Sequence, residues 1–254
     1  MIALLGAAVI VGTAACGVSS GPIAITLITP SVTTSPTSPT TVSSGQPLSV
    51  VVARSACTDL GGTVEEDQTC QVHTATSSYT LDFSFPVDYP DQRALTAALT
   101  KQRDQFIDLV GERPSRDTPY ALAITGRAYR SGAPASGTES LVLEEYFDTG
   151  GAHPETYYES LNYDLGRAAP ITFDTLFKPG TDPLGVLDPI VQRELANRVG
   201  GQADDNPVGA TTYQSFAITD DAVVFFIGQG MWIMEAAGPQ EVSVPRSDLA
   251  AVLA

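Results

Sequence analysis

No Asp, Glu, Lys, Arg or His occurs before Arg54, so the formal net charge of −16 belongs wholly to the rest of the 254-residue chain. An acidic globule of that kind repels phosphate backbones, which argues against nucleic acid as a partner. The acidic excess reads as charge spread over solvated faces. Histidine is nearly missing: His73 and His153 are the only two, and they lie far apart, too few and too distant for a zinc site. Lysine is scarce as well, Lys101 and Lys178 among thirteen basic residues. The three cysteines form no CxxC pair. There is no Gly-x-Ser-x-Gly elbow, which disfavours an ordinary α/β-hydrolase. No glycine loop of the phosphate-cradling type precedes a helix, no internal repeat is visible, and Asp204-Asp205-Asn206 lacks the glycine and distal glutamate of a calcium loop. Nothing in these residues calls for a metal or an organic cofactor.

The charge-free N-terminus has its own organisation. Ile2 to Ala15 is an apolar run too short to cross a bilayer core of about 30 Å and reads as a signal-peptide core. It closes with Thr13-Ala14-Ala15-Cys16-Gly17, which resembles a bacterial lipobox. That resemblance implies lipidation of Cys16 and a membrane anchor; ordinary secretion with an incidental cysteine is the alternative. Residues 17–53 are dominated by Thr, Ser, Pro and Val, cannot bury a core, and read as a tether. Residues 1–16 are thus expected to be a leader, 17–53 a tether and 54–254 a single domain, of a size usual for one core.

Within that domain Cys57 and Cys70 form an even pair in an exported chain, which implies a disulfide. Tyr79 to Phe85 alternates large and polar residues, the period of a half-buried strand. Asp91 caps a helix expected to run to about Val110, with Leu95, Leu99, Phe106 and Leu109 on its apolar side and Gly111 past its end. Further strands are expected at Tyr120 to Thr125, Ser140 to Phe147, Tyr157 to Tyr163, Ala222 to Ile227 and Glu241 to Pro245. A second helix starts at Asp182-Pro183 or Asp188-Pro189, with an N-cap followed by proline, and ends at Gly200-Gly201. Strands outnumber helices and long crossovers are scarce. The fold class is α+β, a mainly antiparallel sheet with two principal helices packed against it.

Several segments together resemble the mycobacterial immunogenic secreted proteins, including a branch labelled as cell-wall esterases. They are Cys57 to Cys70 with Gln71-Val72-His73, Phe85-Pro86-Val87-Asp88-Tyr89-Pro90, Gly150-Gly151-Ala152-His153-Pro154, Pro170 to Phe177, and Phe216-Ala217-Ile218-Thr219-Asp220-Asp221. From about residue 140 to 254, ending in Val244-Pro245-Arg246-Ser247, the chain also resembles the RsiV-type ectodomain, a related domain that senses lysozyme outside the cell. These resemblances imply an extracytoplasmic module that either hydrolyses a short-chain carboxylic ester or binds a partner such as a basic secreted protein. One fold hosts both kinds of work.

An esterase of the serine type needs a nucleophile, a base, an orienting acid and donors for the oxyanion. His153, in its Gly-Gly-Ala-His-Pro loop, is the candidate base, and the loop glycines are candidate anion-binding donors. Asp174 is the candidate orienting acid and Ser247 the candidate nucleophile. Each also has a structural reading: His153 fixing its loop, Asp174 capping the following turn, Ser247 capping a last helical turn. His73 ranks second among bases. Glu144 and Glu145 are neighbours on a strand and point to opposite faces, so they do not make a facing carboxylate pair. Gly228 to Met234 carries the only Trp beside two Met, a cluster that is either core or an adaptable contact surface.

Overall fold

One disulfide and one long helix organise the first half of the domain. Cys57 and Cys70 are bridged, and both are fully buried. Gly62 lies against them so closely that a Cβ there would sit 2.6 Å from Cys70 Sγ, so no other residue fits without displacing the bridge. This is a computed structural model; it describes residues 55–200 and 208–254, within a unit spanning Val51–Ala254. The leader, Cys16, the tether and the Asp204-Asp205-Asn206 run lie outside the described residues.

In chain order the elements are α1 (Ala56–Asp59), β1 (Thr63–Val64), β2 (Thr69–Ala75), β3 (Tyr79–Pro86), α2 (Gln92–Gly111), β4 (Tyr120–Ser131), β5 (Thr138–Asp148), β6 (Glu155–Asp164) and β7 (Ala169–Ile171). There follow α3 (Phe173–Leu176), α4 (Pro183–Arg198), β8 (Phe216–Ile218), β9 (Ala222–Ile227), β10 (Gln240–Pro245) and α5 (Arg246–Leu249). The first seven strands form one sheet in sequence order, and β10-β9-β8 form a second. All strand pairs are antiparallel except β3 with β4, the two joined by α2. The class is α+β, as the alternating apolar strands require.

α2 begins where Asp91 accepts from the Ala94 amide and buries Leu95, Leu99, Phe106 and Val110. The expected stripe shifts at its end: Leu109 is 45% exposed and Val110 takes its place, while Gly111 is the last helical residue instead of lying beyond it. α4 takes the earlier of its two starts, with Asp182 accepting from Gly185 and Pro183 in the first turn; Pro189 then sits inside the helix.

The alternation of β5 shows the layering. Leu141 and Leu143 join the core beneath α2, together with Phe83, Phe85, Leu122 and Ile124. Val142, pointing the other way, meets Ala217 and Phe226 of the small sheet. Along β9, Val223, Phe225 and Ile227 face a separate core with Leu187, Val191 and Leu195 of α4. The order of layers is therefore helix α2, large sheet, small sheet, helix α4. Burial of β5 on both faces explains its short run of consecutive apolar residues.

Candidate functional site

The carboxylate placement follows from the pairing of β5 with β6. Glu145 stands opposite Tyr157 and Leu143 opposite Glu159, so Glu145 and Glu159 are diagonal neighbours on one face, within reach of long side chains. That is the α2 face, where Gln102 Nε2 donates to Glu159 Oε2 at 2.9 Å. Glu144 points to the other face, as its adjacency requires, and there meets Arg127, which also binds Glu241 at 2.6 Å. Neighbouring glutamates thus have unlike surroundings. Glu144 has a cationic partner; Glu145 is 3% exposed and its Oε1 has no hydrogen-bond partner.

Burial, aided by the negative charge of Glu159 and only partly opposed by Lys101, pushes the Glu145 carboxyl up to about 8. A buried carboxyl without a cation avoids the cost of desolvating its charge by keeping its proton. It lines a cleft of about 370 Å³ that also takes in Glu159, Ser160, Asn162, Gln214 and Phe173. The cleft runs along the edge of β6, because β7 pairs only with Asn162, Tyr163 and Asp164.

On the small-sheet side of that edge the polar groups are latches. Ser160 Oγ accepts from the Phe216 amide at 2.9 Å, Asn162 Nδ2 donates to the Phe216 carbonyl at 3.0 Å, and Ser215 Oγ donates to the Tyr158 carbonyl at 2.6 Å. Asn162 Oδ1 is buried with no partner. Like Glu145 Oε1, it is sealed from solvent, so both atoms lie behind the cleft lining and not on its surface. Native proteins rarely leave such atoms unmet.

None of the three residues singled out from the sequence lines this cleft. His153 is in an exposed loop, with Nε2 3.3 Å from Glu235 Oε2 and Nδ1 3.3 Å from the Pro154 carbonyl oxygen. The amide of Gly150 in the same loop donates to Asp148, whose carboxylate also holds Arg116 at 2.8 Å. Asp174 lies exposed in the first turn of α3, where the capping hydroxyl is that of Thr172. Ser247 lies exposed within α5 and donates to Asp248; the residue before that helix is Pro245, so Ser247 is not its N-cap. No hydrogen bond joins His153, Asp174 and Ser247 to one another. His73 pairs with Asp82 at 2.5 Å on the exposed face of β2 and β3.

The Trp segment divides: Ile233 is buried, Trp232 packs against the α4 core, and Met231 and Met234 are 46% and 65% exposed. Among the described residues no group of three His, Cys, Asp or Glu side chains is placed to hold a metal ion. No described helix is long and apolar enough to cross a membrane.

In the sequence Glu145 stands out only as the neighbour of Glu144, and adjacency on a strand puts those two on opposite faces. Its actual partner, Glu159, is visible only once register is known. The available signal was that Glu145 and Glu159 share odd numbering on two consecutive strands, which places them on one face for one parity of register.

The layered fold belongs to a recognisable class of module. Residues 174–247 match the family model described as "Protein of unknown function (DUF3298)", the stretch that resembles the RsiV-type ectodomain. A DUF3298 family protein of Pseudomonas aeruginosa PAO1 shares the fold, with a TM-score of 0.51 at 16% identity over 77% of this chain and 96% of that one. Beyond the class, the chain is 47% identical to Esterase Rv3036c of Mycobacterium tuberculosis H37Rv, over 76% of this chain and 86% of the relative. It is 40% identical to the immunogenic protein MPT64 of the same organism, over 78% and 88%. The chain belongs to the family of these mycobacterial immunogenic proteins and esterase.

Proposed function

We propose that this protein is an extracytoplasmic carboxylester hydrolase whose chemistry runs in the cleft beside β6. The observation that carries the reading is Glu145, a buried cleft-lining carboxyl beside Glu159 with no ion pair among the described residues, which burial pushes up to about 8. A relative 47% identical and named an esterase supports it. In this reading Glu159 takes a proton from water as its oxygen attacks the ester carbonyl, and Glu145 donates to the carbonyl oxygen. Collapse of the tetrahedral intermediate returns the carbonyl proton to Glu145 and breaks the bond to the alcohol, which leaves with the proton that Glu159 took from water. A carboxyl that burial keeps protonated, beside a second carboxylate, is suited to such acid and base work.

The placement outside the cytoplasm is part of the same reading. It rests on the leader-like N-terminus and on the Cys57–Cys70 bridge, a bond that persists in oxidising compartments. Cys16 is the proposed site of lipid attachment; mass spectrometry of the processed N-terminus would show a diacylated cysteine, and an unacylated residue other than Cys16 ends that part.

Hydrolysis of a short acyl ester by the purified protein tests the activity, beside Glu145→Gln and His153→Ala. General acid catalysis predicts a loss on the order of a hundredfold in the first and less than twofold in the second. Loss in His153→Ala with Glu145→Gln unaffected would return the chemistry to His153, with Asp174 and Ser247 as the partners to examine. No hydrolysis by any form would leave the second reading, a binding module, which the unpaired edge of β6 beside the cleft favours independently.

A further inference from the structure

The cleft is built around the edge of a strand. Carbonyls of Thr156 and Tyr158 point out of the sheet edge, since they accept from the Gln229 amide and Ser215 Oγ. Pairing on that side resumes at Asn162 with Ile171. By the alternation of an antiparallel strand, the amide and carbonyl of Ser160 face the same way, and no strand lies there to meet them. Exposed edges are usually blunted by charge, proline or a covering segment. Here the covering segments stop short, and the gap is the cleft itself.

The walls of the cleft lie on both faces of the sheet. Gln102, Glu145 and Glu159 belong to the α2 face; Asn162, Gln214 and Phe216 belong to the small-sheet face. A strand added at an edge sends successive side chains to opposite faces, so a two-faced cleft suits that kind of ligand. A ligand lying flat on one face would leave half of it unused.

We propose that this cleft binds an extended, uncharged peptide segment of about three residues, which adds as a short strand along Ser160 with its main chain paired to the Ser160 amide and carbonyl. The proposal deepens the hydrolase reading, because the ester it would cleave is then one carried by a peptide. It also stands if the protein only binds. Strand addition draws affinity from main-chain hydrogen bonds and selectivity from the pockets that receive alternate side chains.

The probe is acetyl-trialanine N-methylamide, which contains no ester, added to the purified protein and followed by amide NMR. Binding should shift the resonances of Tyr158 to Leu161 and of the Asn162 and Gln102 side-chain amides, and slow exchange of the Ser160 amide at least tenfold. The same peptide N-methylated at its central residues should bind at least tenfold more weakly, a test on the ligand that leaves the protein intact. Equal binding of the methylated peptide, shifts located elsewhere, no binding at 10 mM, or occupation of the cleft by an N-acetylglucosamine trimer instead would each overturn the proposal. Ester hydrolysis is scored separately. Peptide binding without hydrolysis removes the hydrolase reading alone, and hydrolysis without peptide binding removes the peptide alone.

Discussion

The two faces of the large sheet treat polar side chains differently. On the face toward the small sheet, buried polar groups are chiefly fasteners: Ser140 Oγ accepts from the Ile218 amide at 3.0 Å, and Ser160 and Asn162 hold the amide and carbonyl of Phe216, with Asn162 Oδ1 alone of these groups unmet. On the face toward α2, where the core is aliphatic and aromatic, Glu145 is buried with an oxygen that nothing meets. The same strands, one residue apart, supply both. The difference teaches that burial alone does not mark a functional polar group. The mark is a buried carboxyl with no ion pair beside a second carboxylate, because a fastened neutral group stabilises by its hydrogen bonds whereas a carboxyl buried that way costs stability whenever it ionises.

The largest effect that would sharpen this contrast is the pH dependence of stability at Glu145. Its carboxyl sits near 4.5 in the unfolded chain and about 8 in the folded one, so the folded state holds the proton more tightly between those values. The contribution is complete below about pH 4.5 and is lost as pH rises through 8. Between pH 5 and pH 9 the loss should be on the order of 4 kcal/mol, read as the difference between urea melts of the parent and of Glu145→Gln. A parent whose stability follows the Gln variant at both pH values would remove the contrast.

Opening the Cys57–Cys70 bridge by paired serine substitution should cost roughly 3 kcal/mol in the chain-entropy model. The cost falls on the α2 side, whose core contains both sulfurs. Unfolding monitored separately through α2 and through Tyr213, in the α4 core, would detect a domain that no longer melts as one. Replacing Ser140 by Ala strands the buried Ile218 amide and should cost about 2 kcal/mol; a neutral result would mean that the polar groups on the small-sheet face are not fasteners. Tyr213→Phe removes the 2.7 Å hydrogen bond to Asp188, which together with burial holds the phenol far above its ordinary value, and should cost about 1–2 kcal/mol. The smallest effect is expected at Ser247, exposed and bonded only to its neighbour Asp248: alanine there should change stability by less than about 0.5 kcal/mol.

Local chemistry made much of the fold legible. The alternation of Tyr79 to Phe85, the Asp91 and Asp182 caps and the proline after Asp182 each act within a few residues, and each appears in the structure where the sequence put it. The cysteine pair was legible because only two cysteines remain beyond the leader. The errors at the end of α2 are also local: one residue of drift in a helical stripe exchanges Leu109 for Val110.

The site was not legible in the same way. His153 drew notice as one of two histidines, yet both its ring nitrogens face groups of its own surroundings. Glu145 was one acid among 29 Asp and Glu residues, and nothing near it in the chain distinguishes it.

By itself the sequence determined the α+β class, the principal helices and the bridge, since these rest on periodicity, caps and composition, which are properties of short stretches. Only the tertiary structure decided that Glu145 would lose its solvent, acquire Glu159 as a diagonal neighbour and line the free edge of β6. Those outcomes depend on the register between β5 and β6 and on where β7 stops, and each is set by the packing of distant segments, not by the residues beside Glu145 in the chain.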